Sequence, residues 1–361
     1  HPVGSISILE THISFIVLTG TFAYKIKKPV DLGFLDFTTL EKRRFFSQEE
    51  LRLNARLAPE IYLDVVPIGG TREAPRVGEA AQVIEYAVKM LEFPQESLAD
   101  RVLARSEMTS HHMDLLAALV AQFHARAPCS PEGDGFGTPE AILACVAQNF
   151  SQIRAVPDHA LHRPVLDDIE TWTRQEHGRL RAVFAERKRE GRVRECHGDL
   201  HLGNIVFLQG EPRAFDCLEF NPDLRWIDVM NEVAFLVMDL RAANRSDLAR
   251  RFLNTYLEFC GDYGGMQVLP YYLAYRAMVR GKVGFIRARQ IEPGSEGQGA
   301  LLESCRRYLE LAGSCTRPGP GFLAITHGFS GSGKTTLSQS LVECSGAIRI
   351  RSDIERKRMH G

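Results

Sequence analysis

Residues 196–220 read CHGDLHLGNIVFLQGEPRAFDCLEF. His197, Asp199, His201 and Asn204 crowd together, and Asp216 follows after an apolar interlude. IVFL (205–208) and RAF (213–215) are short apolar strand candidates joined by the turn-rich quartet QGEP. An antiparallel hairpin brings its two open ends together. The spacing therefore predicts that Asn204, just before the first strand, and Asp216, just after the second, lie side by side. Asp199 falls five residues before Asn204, in the loop leading in.

Three oxygen-bearing side chains converging at one spot suit Mg²⁺, which one or two carboxylates and substrate phosphates usually hold. The order of a loop Asp, four residues, Asn, a hairpin and a second Asp is also that of kinase phosphoryl-transfer sites. A rival reading takes HxDxH at 197–201 as metal ligands of a hydrolase, helped by His111, His112 and Asp114. Imidazole with carboxylate favours zinc or iron. That reading leaves Asn204, Asp216 and Lys25 without a task. The blandest alternative is a polar turn between two strands.

Upstream, HISFIVLTGTFAYKIK (12–27) reads as a hairpin around Thr-Gly. APEIYLDVVPIGG (58–70) and VIEYAVKML (83–91) read as two more strands, joined by the turn-rich GGTREAPRVGE. Between Leu40 and Leu57 the period is helical, with Phe46, Leu53 and Leu57 on one stripe and Glu50 beside it. Residues 1–93 are thus expected to form a small, mostly antiparallel β lobe. Residues 94–312 are expected to form a helical lobe, with helices near 139–155, 165–190, 228–242, 246–260, 270–290 and 299–313. A further helix follows a Thr109/Ser110 cap. A cleft between two such lobes is a natural small-molecule site. Alternation along Phe22-Ala23-Tyr24-Lys25 puts Ala23 and Lys25 on one face, and Lys27 shares it.

HGDLHLGN followed by FDCLEF resembles the catalytic and metal loops of the aminoglycoside phosphotransferase family, small-molecule relatives of protein kinases. The resemblance spans roughly residues 10–312 and implies an α+β, two-lobed, protein-kinase-like fold. It implies Asp199 as catalytic base and Asn204 and Asp216 as Mg²⁺ ligands, with ATP as the phosphate donor. Ala23 would lie under adenine and Lys25 would reach the phosphates, Lys27 being the other candidate. Glu50 on the following helix is placed to pair with that lysine, with Glu49 as its rival. VKMLEFP (88–94) would be the hinge that meets adenine. Glu219 matches an acid often found at that place in the family. His197 is expected to support the loop structurally. RWIDVMNEVAFLVMDL (225–240) resembles the helix whose aspartate, Asp228, braces the catalytic loop. One departure stands out: the GxGxxG loop of protein kinases is missing, and only Gly20 marks the turn, which weakens a protein-kinase reading more than a small-molecule-kinase one.

After a Gly/Pro-rich linker at 313–320, residues 321–361 begin a different pattern. GFSGSGKTT (328–336) satisfies GxxxxGK[ST], with FLAIT before it as a strand and TLSQSLVE after it as a helix. Glycines let successive N–H groups wrap a phosphate, and the helix N-terminus adds a favourable field. Gly328, Gly331, Gly333, Lys334, Thr335 and Thr336 are the nucleotide-binding candidates, Lys334 for the β/γ-phosphates and Thr335 for Mg²⁺. IRIRSDIERKR (348–358) reads as a second strand and then a helix. It resembles the SDxxRK strand end of P-loop kinases such as gluconate kinases, polynucleotide kinases and zeta-type toxins. That likeness makes Asp353 and Arg356 possible acceptor contacts; the plainer alternative is a helix cap with a basic face. Only about 41 residues of this α/β domain are present, against about 150 for a typical domain. The expectation is therefore a fragment of a bacterial fusion between a phosphotransferase-like domain and a P-loop domain.

Whole-chain properties agree. A net charge of -1 over 361 residues gives no reason to expect a nucleic-acid partner, and no apolar run approaches the roughly 18 residues of a membrane span. Eight scattered cysteines without CxxC spacing point to a reduced, cytoplasmic protein. The chain opens on a histidine and shows no signal peptide, so its own start is expected upstream. Two functions are then in play: a phosphotransferase acting on a small hydroxylated molecule, or a non-catalytic nucleotide-binding module regulating the P-loop domain.

Overall fold

Alternation of period two governs the N-terminal region. The computed structural model describes residues 6–33, 35–79, 81–155, 163–289, 291–292, 294–317, 319, 321–329 and 331–360. In it, Ser14–Leu18 (β2) and Phe22–Lys27 (β3) pair antiparallel around Thr19-Gly20, as the sequence predicts. Gly20 takes φ +84°, a region that side chains resist. Glu92 clamps the turn by accepting the N–H groups of Thr19 (3.0 Å) and Gly20 (2.8 Å).

The other strands are Ser7–Glu10 (β1), Tyr62–Gly70 (β4), Pro75–Val77 (β5) and Val83–Leu91 (β6). They complete a six-stranded antiparallel sheet in the order β1-β2-β3-β6-β4-β5. Edge strands β1 and β5 are exposed throughout, so neither has a buried face on which to write an alternating pattern.

Helix α1 (Leu40–Asn54) starts at Thr39, whose hydroxyl accepts the Lys42 N–H. Its buried positions within the helix are Arg43, Ser47, Glu50, Leu53 and Asn54. Leu53 and Leu57 of the expected apolar stripe are buried, but the helix's other buried positions are polar. Phe46 is half-buried and packs against Phe37 (5.2 Å between ring centroids).

A second hairpin, Ile205–Leu208 (β8) and Glu211–Ala214 (β9), turns at Gln209-Gly210. Both turn residues have positive φ (53° and 83°), as a type I′ turn requires. Glu211 and Pro212, read from sequence as turn, belong to β9. Val206 packs into the core made by Ala23, Ala58, Ile61, Tyr62, Val88 and Met90.

The chain divides into two compact units: His1–Met108 with His197–Arg225, and Thr109–Cys196 with Trp226–Gly361. The sheet unit thus runs on to Met108, past the boundary after residue 93 expected from the sequence. Helix α2 (Ala99–Ala104) and the 205–214 hairpin belong with the sheet, because Leu98 bridges directly to Val206.

The second unit is helical. It contains α3 (Ser110–Arg126), α4 (Pro139–Arg154), α5 (Arg163–Arg189), α6 (Val229–Ala242), α7 (Ser246–Cys260), α8 (Leu269–Ala288) and α9 (Glu296–Cys315). A short antiparallel pair, Val193–Glu195 (β7) and Trp226–Asp228 (β10), leads into α6. Helix α6 is buried on nearly every side, its polar Asn231, Glu232 and Asp239 included. No helix among the described residues is long and apolar enough to cross a membrane.

The expected linker at 313–320 begins later than read, since α9 runs to Cys315; residues 318 and 320 lie outside the described residues. Beyond it, α10 (Lys334–Ser345) and α11 (Ser352–His360) form, but residues 321–329 and 346–351 carry no strand. A strand needs a ladder partner. Leu323 and Ile325 are instead 88% and 84% exposed. The Arg349 N–H and Ala347 carbonyl bond the side-chain amide of Asn254 on α7 (2.8 and 3.2 Å) rather than another backbone.

Candidate active site

Strand β3 sends Ala23, Lys25 and Lys27 to its buried face. Burying two ammonium groups is expensive unless carboxylates meet them, and they do. Glu50 bridges both, with Oε1 2.8 Å from Lys25 Nζ and Oε2 2.6 Å from Lys27 Nζ. Lys25 also donates to Asp216 Oδ1 at 2.5 Å, and Lys27 donates to Glu219. Lys27 is 1% exposed and Glu50 is fully buried.

Burial works against each lysine's charge, yet the facing carboxylates outweigh it, so both lysines titrate above their ordinary value. Burial likewise works against the Glu50 carboxylate, but the two lysines bring its pKa down to about 2. Burial pushes the Glu219 carboxyl up, aided by the nearby charge of Glu50. Both sequence alternatives for the lysine thus converge on Glu50. Glu49 turns instead to Arg52 (2.9 Å).

Asp216 sits in the left-handed region (φ 62°), and two side chains of the sheet unit hold the backbone there. Tyr62 Oη accepts the Asp216 N–H (3.1 Å) and Asn54 Oδ1 accepts the Cys217 N–H (2.9 Å). Asn54 is itself fixed, donating to the Glu50 carbonyl (2.8 Å). The Phe215 N–H donates to the Asn204 carbonyl (3.0 Å), so the two ends of the hairpin meet as the sequence spacing predicts.

The loop before the hairpin is stapled by His197. Its Nδ1 accepts the Asp199 N–H (3.3 Å) and its Nε2 bonds the Phe215 carbonyl (2.9 Å), which places the ring proton on Nε2. Both ring nitrogens are thereby committed to backbone groups, and the metal-ligand reading of HxDxH loses its first member. Asn204 Nδ2 donates to Asp199 Oδ2 (3.0 Å) and to the Asp199 carbonyl (3.0 Å). His201 Nδ1 accepts the Gly203 N–H (3.0 Å), and its Nε2 lies 3.6 Å from Asp199 Oδ2. Gly198 has φ +87°, and a Cβ there would fall 2.8 Å from the Leu224 carbonyl oxygen.

The remaining sequence candidates lie in the helical unit. His112 completes a capping box with Thr109, and Asp114 pairs with Arg251 (2.6 Å), so both have structural work. Asp228, expected to brace the catalytic loop, has these partners within the helical unit. Its carboxylate takes Arg187 Nε (2.6 Å) and Nη2 (2.8 Å), and it caps α6 by accepting the Met230 N–H (2.8 Å). Arg187 in turn binds Asp262. Sequence did not single out His124, Cys196 and Glu232, which cluster in this unit, with His124 Nε2 2.7 Å from Glu232 Oε2. Only their burial unites them, and no motif spacing signals it.

In the glycine-rich segment, Gly328, Gly331 and Gly333 have φ of 151°, 78° and 80°. Lys334 Nζ folds back onto the carbonyls of Gly328 (2.7 Å) and Phe329 (2.6 Å). Ser330 lies outside the described residues. Thr335 and Thr336 are exposed at the start of α10. Asp353 and Arg356 are exposed on α11, with Asp353 3.0 Å from Arg351.

Residues 47–269 match the model of the phosphotransferase enzyme family, and residues 323–361 match that of an AAA domain. An uncharacterized protein of Mycobacterium tuberculosis (strain ATCC 25618 / H37Rv) is 33% identical over 362 residues, covering 99% of this chain and 70% of that protein. An uncharacterized protein of Mycobacterium bovis has the same identity and coverage. Among solved structures, a choline kinase from Cryptosporidium parvum Iowa II gives a TM-score of 0.51 at 12% identity, covering 86% of this chain and 88% of that one. An amicoumacin kinase in complex with AMP-PNP, Ca²⁺ and Ami gives 0.50 at 14% identity, covering 84% and 87%. At such identities the likeness is one of fold, and it is the kinase-like α+β fold expected from the sequence.

Proposed function

The chain belongs to the phosphotransferase enzyme family, and from that premise we propose that it transfers the γ-phosphate of ATP to a hydroxyl of a small molecule, with Mg²⁺ as its metal. The observation that carries this reading is the placement of five residues in one unit: Lys25 bonds Glu50 and Asp216, Asn204 bonds Asp199, and the Phe215 N–H on the Asn204 carbonyl joins the two sets.

In this reading Asp199 orients the acceptor hydroxyl and takes its proton on a carboxylate oxygen. Its side chain is one-third exposed, so an acceptor can reach it. Asn204 and Asp216 supply the hard oxygen donors that Mg²⁺ prefers, and Asp216 is the more open of the Lys25–Asp216 pair. The donor set fits that ion better than zinc, which favours sulfur and imidazole. A bound metal would neutralise charge on the phosphates. Lys25, aimed by Glu50, would do the same from the other side.

Residues 328–336 are read as a second nucleotide site, supported by the AAA-domain match and by a lysine already curled over its own loop. Lys334 and Thr335 would serve the phosphates and Mg²⁺ there, and Asp353 and Arg356 an acceptor.

The test is transfer of labelled γ-phosphate from ATP into a small-molecule extract, native chain against Asp199→Ala. Label entering one metabolite only with the native chain supports the proposal and yields the acceptor by mass. Mg²⁺-ATP binding without Asp199-dependent transfer would favour a regulatory module instead.

A further inference from the structure

Two lysines on one strand share Glu50, but they are not equivalent. Lys25 contacts Asp216, whose side chain is 45% exposed, whereas Lys27 is closed in between two buried carboxylates, Glu50 and Glu219. Lys27 therefore joins three elements: its own strand β3, helix α1 through Glu50, and the segment carrying Asp216 through Glu219. The side chain of Phe37 covers it, with Nζ 4.9 Å from the ring centroid. Arg225 closes the far side by donating to the Glu219 carbonyl (3.1 Å).

If Asp216 is to bind metal and Lys25 is to bind phosphate, their mutual contact must open. Lys25, still aimed by Glu50, then shares its charge with phosphate, and a buried carboxylate whose partner is drawn on elsewhere needs further compensation. Lys27 supplies that compensation from a place no ligand reaches. We propose that Lys27 is a fixed internal counter-ion and positioning residue: through Glu50 and Glu219 it holds α1 and the 216–219 segment in place while Lys25 and Asp216 exchange each other for phosphate and metal. This rests on the proposed function above, and it assigns Lys25 the moving role and Lys27 the stationary one.

The discriminating quantity is the Mg²⁺ concentration needed for half-maximal binding of a fluorescent ATP analogue, read by anisotropy. All proteins carry Lys334→Ala, so that the glycine-rich segment does not contribute. Partners that orient a metal ligand typically cost 10–100-fold in metal affinity when removed. Lys27→Met should therefore raise the Mg²⁺ requirement at least tenfold. Glu219→Gln keeps the Lys27–Glu50 pair and the packing; it should raise the requirement in the same direction even if Lys27→Met does not fold. A merely structural role would lower the melting temperature and leave the Mg²⁺ requirement of the folded protein unchanged.

An unchanged requirement in a folded Lys27→Met, or in Glu219→Gln, overturns the inference while leaving the proposed function intact. If the Lys334→Ala parent itself binds no Mg²⁺-nucleotide, the proposed function fails and this inference falls with it.

Discussion

Lys25 Nζ lies 2.5 Å from Asp216 Oδ1, although 191 residues separate the two in sequence. The contact ties the lysine proposed for phosphate to the carboxylate proposed for metal, and each neutralises the other until those ligands arrive. Lys25→Met should remove a preorganised charge from the site and slow phosphate transfer about 10²-fold or more. Steady-state rates with saturating ATP check this. A rate within threefold of native would assign the phosphate contact to another cation.

Glu50 connects protonation to stability. Its pKa in the folded chain is about 2, below its ordinary 4.5, so its contribution is fully present above pH 4.5. That contribution fades as pH falls from 4.5 toward 2. Glu50→Gln leaves two buried lysines undercompensated and should lose about 3–5 kcal/mol at neutral pH. Denaturant titrations from pH 8 to 3 should find the deficit constant down to about pH 5 and shrinking below it. A deficit that grows on acidification would contradict the sign.

Gly198 is a backbone requirement. With φ +87° and a carbonyl oxygen 2.8 Å from where a Cβ would sit, Gly198→Ala must move the loop that carries Asp199. A loss of about 1–3 kcal/mol is expected, together with a fall in transfer rate larger than any change in ATP affinity. Thermal melts and a kcat/KM comparison measure the two separately.

Tyr62→Phe tests the anchor of the metal segment. It removes the acceptor of the Asp216 N–H while keeping the ring in the core. Losing a hydrogen bond to a part-buried N–H costs about 1 kcal/mol, so a lower melting temperature and a raised Mg²⁺ requirement should appear together. Stability loss alone would make Tyr62 a packing residue only.

Much of this was legible in the chain because local patterns carried it. The Thr19-Gly20 turn, the parity of Ala23, Lys25 and Lys27, and the spacing from Asn204 to Asp216 are short-range and survive folding unchanged. What stayed hidden depended on contacts between distant segments. Nothing near Asn54 or Tyr62 announces that each holds one backbone amide of the Asp216 loop. Glu50 was placed from the helix that bears it, but the helix buries a polar stripe there, which a search for apolar periodicity passes over. The bidentate partner of Asp228, Arg187, was not legible because it lies 41 residues away on α5. The expected strands around the glycine-rich loop did not form because alternation alone cannot supply a ladder partner.

Asp199 is proposed to serve chemistry rather than binding. The direct measurement is single-turnover transfer of phosphate from ATP to an accepted hydroxyl substrate, comparing native chain with Asp199→Asn at matched occupancy of ATP. Nucleotide affinity is expected within about twofold of native, with the transfer step slowed roughly 10²–10⁴-fold. Transfer at the native rate by Asp199→Asn would contradict it.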